Sequence, residues 1–228
     1  MLFFDPTYIL VIIGIVICIA ASANVSRVYN KYSKVKSVRQ VTAADVAEQI
    51  LRRAGITDVK VEMIGGQLTD HFDPRKKSVM LSESTYNSTS VAAIGVAAHE
   101  CGHVIQYYRS YFLIKLRNLF VPVANIGSML SWPVILFGVI FGIGFLVNIG
   151  IVLFTGVLIF QIVTLPVEFN ASSRALKILR DNGILVGDEC VAAGKVLGAA
   201  AMTYVAGAIT TALQLLRFLL LFGRRRSN

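Results

Sequence analysis

Two histidines one helical turn apart are the residues of this 228-residue chain with the clearest capacity for chemistry. They flank a glutamate in the run Ala97-Ala98-His99-Glu100-Cys101-Gly102-His103. On a helix, positions i and i+4 lie on nearly the same face, so both imidazoles can bind one Zn²⁺. Glu100 projects beside them and can take a proton from a zinc-activated water. The spacing predicts a zinc-dependent hydrolytic site with Glu100 as general base.

A catalytic zinc of this kind needs a third protein ligand and one open coordination position. Glu168 is the first candidate, because it follows a stretch long enough for two membrane crossings and so returns to the membrane face of His99. A carboxylate at this point could also be a helix-start residue favoured by the helix dipole. His71 is the rival ligand, although its surroundings, Thr69-Asp70-His71-Phe72-Asp73-Pro74, are more typical of a strand or turn. Both candidates stay open at this point.

The composition predicts a multi-pass protein of the cell membrane, with the lipid bilayer as a partner. Hydrophobic residues make up 55% and charged residues only 15%, and no charged residue lies between Arg117 and Glu168. The net charge of +9 comes mainly from basic residues beside apolar segments, where they mark the cytoplasmic face and anionic lipid. No recognition helix or aromatic-basic platform accompanies them, so nucleic-acid binding is not expected. Three scattered cysteines fit a reducing compartment.

The distribution of charged and turn residues divides the chain into five predicted segments. They are a first transmembrane helix (1–25), a cytoplasmic-side catalytic unit with the HExxH helix (26–117), a transmembrane hairpin turning near Asn148 (118–167), a third-ligand helix region (168–195) and a C-terminal apolar helix (196–228). Basic residues after the first segment place its end in the cytoplasm and the N-terminus outside: Arg27, Lys31, Lys34, Lys36 and Arg39. The last segment is expected to be a fourth span; alternatively, its small-residue part packs on the catalytic unit. The predicted fold class is a mainly α membrane protein, a multi-span helical bundle with a small α+β zincin-like catalytic unit.

Helix-capping residues and the alternation of apolar residues predict the helices and strands of the catalytic unit. Thr42 is a helix N-cap, and Gly55 stops that helix after about Ala54. Alternation over residues 59–63 and a second apolar run at 78–82 predict two strands. The helix that carries the histidines is expected from about Ser90 to Arg109.

Three further features are candidates for substrate handling. Zincins commonly bind peptide as an added strand along a sheet edge before the active-site helix, and the strand with Val79, Met80 and Leu81 is placed for this, or is simply a sheet edge. Tyr204 could donate a hydrogen bond to the developing oxyanion, or could anchor a helix at the membrane interface. Arg174 could pair with a carboxylate near the metal, or could be a positive-inside residue.

Several of these motifs resemble those of the YugP-type neutral zinc membrane metallopeptidases of bacteria. The resemblance lies in Asn87-Ser88-Thr89-Ser90, the HExxH motif, the apolar hairpin and Glu168-Phe169-Asn170-Ala171-Ser172, and it covers nearly the whole chain. The chain is more distantly similar to HtpX and the CAAX prenyl proteases, gluzincins whose third ligand is a glutamate on a later helix. The resemblance implies Zn²⁺ as cofactor and Glu168 as ligand. Those relatives have an Asp, bonded to a ligand histidine, where this chain has Ser172, and a hydroxyl is a weaker orienter.

The function predicted from these features is zinc-dependent endopeptidase activity on membrane or membrane-proximal proteins. A first alternative is a site-2-type intramembrane protease, because the histidine-bearing helix is apolar enough to be a short membrane helix. Against that, a polar, charged segment directly precedes this helix, and no Asp lies within any apolar run. A second alternative is a non-catalytic, zinc-stabilised membrane scaffold. Substitution of Glu100 separates the enzyme from the scaffold.

Overall fold

The chain is mainly helical, with one small sheet. The computed structural model describes residues 5–223; residues 1–4 of the predicted first span and residues 224–228 of the predicted last segment lie outside the described residues. The elements are α1 (Tyr8–Tyr32), α2 (Ala43–Arg53), β1 (Lys60–Ile64), β2 (His71–Asp73), β3 (Ser78–Ser82), α3 (Glu83–Tyr86), α4 (Val91–Tyr108), α5 (Phe112–Ile140), α6 (Gly144–Asp181) and α7 (Asp188–Phe222). Among them, α1, α5, α6 and α7 are long and apolar enough to cross a membrane. The predicted fold class is confirmed.

The chain forms two compact units, and several long helices contribute to both. The span unit comprises Met1–Ser22, Lys115–Pro166 and Met202–Asn228, and the sheet unit comprises Ala23–Ile114 and Val167–Ala201. The candidate third ligand therefore lies on the part of α6 that belongs to the sheet unit. The division of the chain into five functional segments remains a prediction.

Within the span unit, close helix contacts form where side chains are small or polar. A Cβ atom on Gly150 of α6 would lie 3.0 Å from the carbonyl oxygen of Ser131 on α5, so only glycine permits this approach. Thr210 on α7 donates to the carbonyl oxygen of Gly14 on α1 at 3.1 Å, and Arg217 lies 4.1 Å above the ring of Tyr8. Helices α1 and α7 therefore lie side by side and antiparallel.

The turn between α5 and α6 is not at Asn148, and that prediction is wrong. Gly142 has a φ of +69°, and the amide of Ile143 donates to the carbonyl oxygen of Gly138 at 2.8 Å. This hydrogen bond from residue i+5 to residue i, together with a glycine in the left-handed conformation, is a common end of an α-helix, here α5. The hairpin therefore needs no polar residue at its turn. Asn148 instead lies inside α6.

In the sheet unit, the predicted ends of α2 are confirmed. The Thr42 hydroxyl accepts from the amide of Asp45 at 3.1 Å and donates to the Asp45 carboxylate at 2.6 Å. Gly55, with a φ of +75°, follows the last helical turn. Helix α2 buries Val46, Ile50 and neighbouring residues in the main core of the unit.

The strand with Val79, Met80 and Leu81 is the central strand of the sheet, so the prediction that it is an edge strand is wrong. The order is β1-β3-β2, with β1 parallel and β2 antiparallel to β3. The sequence analysis described the surroundings of His71 as a strand or turn but gave no bounds for β2, which is only three residues long. A tight turn folds it back onto β3: the Asp73 carboxylate accepts from the amide of Arg75 at 2.9 Å, and Lys77 has a φ of +52°.

Helix α4 is embedded in the protein core of the sheet unit. Ser90 caps its N-terminus by accepting from the amide of Ala93 at 3.2 Å, and Arg109 is its C-cap, so the predicted helix is confirmed. Of its 18 residues, 14 are buried. Small residues permit this burial: Gly95, for example, meets Ala193 of α7. The surroundings of the two histidines are therefore protein.

Candidate metal centre

Helices α4 and α6 bring the side chains of His99, His103 and Glu168 together. One potential ligand atom from each lies within 4.8 Å of the other two. The Nε2 atom of His99 is 3.3 Å and that of His103 is 3.6 Å from Oε2 of Glu168. The two imidazole rings, one helical turn apart, have centroids 4.7 Å apart and an interplanar angle of 84°. Both nitrogens thus face the carboxylate oxygen.

This arrangement fits zinc. Two imidazole nitrogens and one carboxylate oxygen form the protein donor set of a common type of catalytic zinc site, which keeps a further position open. Glu168 is 1% exposed and His103 is 7% exposed. A carboxylate buried this deeply is unfavourable unless a cation or hydrogen-bond donors compensate its charge. Zn²⁺ bound between these atoms would supply that compensation.

Glu100 and Cys101 lie between the two histidines on α4. Glu100 is 8% exposed, about 100° around the helix from His99, and it does not belong to the three-residue cluster. Burial raises the pKa of the Cys101 thiol, and the charge of Glu100 raises it further. The Cys101 thiol donates to the carbonyl oxygen of Ala47 at 3.6 Å. Cys101 is therefore a neutral core residue.

The Nδ1 atoms of the two histidines have side-chain partners on the side away from Glu168. Nδ1 of His99 lies 3.0 Å from the hydroxyl of Ser172. Nδ1 of His103 lies 3.0 Å from Oε1 of Gln106, which is fully buried. The sequence analysis did not predict a role for Gln106. The sequence shows only an uncharged amide three residues after His103 on the same apolar helix, and its other partners lie on α6.

Arg174 does not bind a carboxylate near the zinc position. Among the described residues, its partners are Oδ1 of Asn170, which accepts from its Nε at 2.6 Å, and the ring of Tyr111, 5.9 Å away. Asn170 Oδ1 also accepts from Nε2 of Gln106 at 3.0 Å. Arg174 thus contacts the site through an amide.

The remaining predicted site residues lie outside the cluster. His71 is an exposed residue of β2 whose Nδ1 lies 2.8 Å from the carbonyl oxygen of Thr69, as expected for a strand residue. Tyr204 lies on α7 in the span unit and is 42% exposed. Its role as a donor to an oxyanion stays a prediction.

Hydrogen bonds to Asp58, which lies just before β1, connect this segment to Tyr108, the last residue of α4. Asp58 accepts from Lys77 at 2.7 Å and from the hydroxyl of Tyr108 at 2.6 Å. These two hydrogen bonds hold the pKa of Asp58 below its usual value. Burial, followed by the bond to Asp58, raises the pKa of Tyr108 to about 12. Both contacts therefore persist at neutral pH; they weaken as the pH falls through the lowered pKa of Asp58 or rises through the raised pKa values of Tyr108 and Lys77.

Gly102 sets the distance between α4 and α6. A Cβ atom at this position would lie 2.7 Å from the carbonyl oxygen and 3.2 Å from the Cα atom of Ala171. Both are backbone atoms, so they can give way only if α6 moves as a whole. Ala171 lies three residues after Glu168 on that helix. The absence of a side chain at Gly102 therefore lets the carboxylate reach the two imidazoles.

Gly102→Ala is expected to weaken zinc binding about 10–100-fold and to destabilise the protein by about 1–3 kcal/mol, because α6 is forced outwards. Competition with a chelating dye and thermal unfolding measure the two effects. Gly198→Ala on α7 is the matched control, since its added Cβ meets no atom within 4 Å. Equal zinc affinity in the two variants would show that this close approach does not position Glu168.

Comparison with known proteins agrees with this geometry. A family model described as "Putative neutral zinc metallopeptidase" matches residues 7–223. A curated relative, "Putative membrane protease YugP" of Bacillus subtilis (strain 168), is 44% identical over 194 residues, which cover 85% of this chain and 86% of the relative. No solved structure matches. The resemblance predicted from the sequence is confirmed, and the chain belongs to this neutral zinc metallopeptidase family.

Proposed function

We propose that this protein is a membrane-embedded zinc endopeptidase, a hydrolase that cleaves peptide bonds of membrane or membrane-proximal proteins. The observation that carries the proposal is the convergence of His99, His103 and Glu168, with Glu100 buried beside the two histidines. Family membership and a relative named as a membrane protease support the same activity.

In this mechanism, the Nε2 atoms of His99 and His103 and the Glu168 carboxylate would hold the zinc. When bound, Zn²⁺ polarises the scissile carbonyl group and lowers the pKa of a water molecule. Glu100 would take a proton from the water that attacks the scissile carbonyl carbon and would pass it to the amine that leaves when the C–N bond breaks. Ser172 and Gln106 orient the two imidazoles through their Nδ1 atoms.

The proposed site lies at the cytoplasmic surface of the membrane, with the N-terminus outside. The basic residues from Arg27 to Arg39 support this orientation, because they follow the apolar part of α1. The burial of 14 of the 18 residues of α4 in protein favours a surface site over a helix immersed in lipid. Helix α4 is also not one of the four candidate spans among the described residues. These observations weigh against the intramembrane alternative.

The proposed docking edge for a peptide is β2, not β3. Strand β2 is an outer strand, antiparallel to its neighbour, so its free edge can pair with an added strand. It also lies against α4, where the ring of Phe72 is 5.9 Å from that of Tyr107. A peptide bound there would run beside the helix that carries Glu100.

The test is zinc content and proteolysis of the full-length protein purified in detergent. We expect about one zinc per chain. Hydrolysis of an unfolded membrane protein should stop with a chelator and return with added Zn²⁺. His99→Ala should lose the metal, whereas His71→Ala, the matched control at the exposed histidine, should keep it. A wild type without zinc, or zinc retained by His99→Ala, would refute the proposed centre.

A further inference from the structure

The imidazole of His103 is the end of a chain of hydrogen bonds between two buried side chains, His103 and Gln106, and two half-buried ones, Asn170 and Arg174. Its Nδ1 atom lies 3.0 Å from Oε1 of Gln106, and Nε2 of Gln106 lies 3.0 Å from Oδ1 of Asn170. Nε of Arg174 lies 2.6 Å from the same Asn170 oxygen. Nε2 of Gln106 also lies 2.9 Å from the carbonyl oxygen of Val167. The chain thus links α4 to two turns of α6.

The direction of donation in this chain follows from the groups at its ends. Arginine only donates, so the atom that Asn170 presents to Arg174 is its oxygen. That oxygen and the carbonyl oxygen of Val167 both need a donor, so Gln106 presents its amino group to them. Gln106 therefore turns its own oxygen towards His103. Gln106 therefore favours a proton on Nδ1 of a neutral His103, in competition with the Glu168 carboxylate, which lies 3.6 Å from Nε2 and favours a proton there.

We infer that Gln106 is a positioning residue that holds His103 in the tautomer with a lone pair on Nε2. The Asn170–Arg174 pair and the Val167 carbonyl group orient Gln106 for this task. Nε2 is the atom that faces Glu168, and a metal requires its lone pair. The expected effect of Gln106 on zinc affinity rests on the proposed function. The tautomer of His103, in contrast, can be measured in the metal-free protein.

His99 lacks such a directional partner. The Ser172 hydroxyl beside its Nδ1 can donate or accept, so this contact is compatible with either tautomer. The two ligand histidines therefore differ. The chain that begins at Arg174 selects the tautomer of His103 alone.

The tautomer can be read directly, because the chain contains only three histidines. Long-range ¹H–¹⁵N spectra of the histidine-labelled, metal-free full-length protein at pH about 8.5, where ordinary imidazoles are neutral, distinguish the two forms. We expect His103 as the Nδ1–H tautomer in the wild type and as a mixture in Gln106→Met. The zinc dissociation constant of Gln106→Met should rise about 10–100-fold. Ser172→Ala is the comparison variant, and it should leave the tautomer of His103 unchanged.

Asn170 supplies a matched pair of variants in case Gln106→Met folds poorly. Asn170→Asp keeps acceptor oxygens towards both Arg174 and Gln106, so it should keep the wild-type tautomer. Asn170→Leu removes these acceptors and should release His103 in part. The inference is overturned if wild-type His103 is the Nε2–H form, or if the Asp and Leu variants give the same spectrum. A wild type with the expected tautomer but no zinc would refute only the proposed function.

Discussion

Replacement of Glu100 by glutamine is expected to reduce peptide hydrolysis about 10²–10⁴-fold while zinc stays bound. Glutamine has the same shape but cannot take a proton from water. Zinc should stay because Glu100 is outside the three-residue cluster of potential ligands. Folding should be unaffected, since the substitution removes a charge from a side chain that is only 8% exposed. The measurements are kcat on one substrate and zinc per chain.

Glu48→Gln is the control for this substitution. It makes the same chemical change in the sheet unit, on a side chain of α2 that is 46% exposed and ion-paired with Arg52. Its kcat should equal that of the wild type, because exposed ion pairs contribute little. Wild-type turnover by Glu100→Gln would contradict its role as general base and favour the scaffold alternative. Loss of zinc from Glu100→Gln would assign Glu100 to metal binding.

The part of the site on α4 could be predicted because it depends on local periodicity. Two histidines four residues apart share a face on any helix, and the Ser90 cap and the small residues identify the helix. Local periodicity could not predict that Glu168 lies beside the two histidines, since this residue is 65 positions after His103. It could be anticipated because an uncharged stretch long enough for two crossings returns the chain to the same side.

The residues that adjust the site could not be predicted from local patterns. Gly102 is an unspecified position of the HExxH motif, and its role is visible only where the backbone of Ala171 approaches it. Gln106 and Asn170 meet through the packing of α4 on α6. Single amides on apolar helices carry no directional information in the sequence. Their function depends on a partner on another helix.

Two predictions were wrong because a small element or a glycine changed the local geometry. The three-residue strand β2 pairs with one side of β3, so the free edge on that side of the sheet belongs to β2. Alternation cannot be recognised over so few residues. The hairpin turns at Gly142 rather than Asn148, because a left-handed glycine ends α5 without a polar residue.

Glu168→Gln is expected to raise the zinc dissociation constant about a hundredfold or more. Binding free energies of about 10–16 kcal/mol for structural zinc correspond to about 3 kcal/mol for each of four ligands, and about 1.4 kcal/mol is tenfold. The amide keeps the volume but loses the negative charge that lies 3.3 Å and 3.6 Å from the two Nε2 atoms. Zinc should therefore raise the unfolding temperature of the wild type much more than that of the variant.

The control is Glu83→Gln, which removes the charge of an exposed glutamate in the first turn of α3. It should keep the wild-type dissociation constant and the full stabilisation by zinc. The metal-free proteins can be compared by thermal unfolding, so that a loss of folding is not mistaken for a loss of a ligand. If folded Glu168→Gln binds zinc as tightly as the wild type, the third ligand is not Glu168. The close contact between α6 and Gly102 would then stabilise the packing of α4 on α6 without forming a metal site.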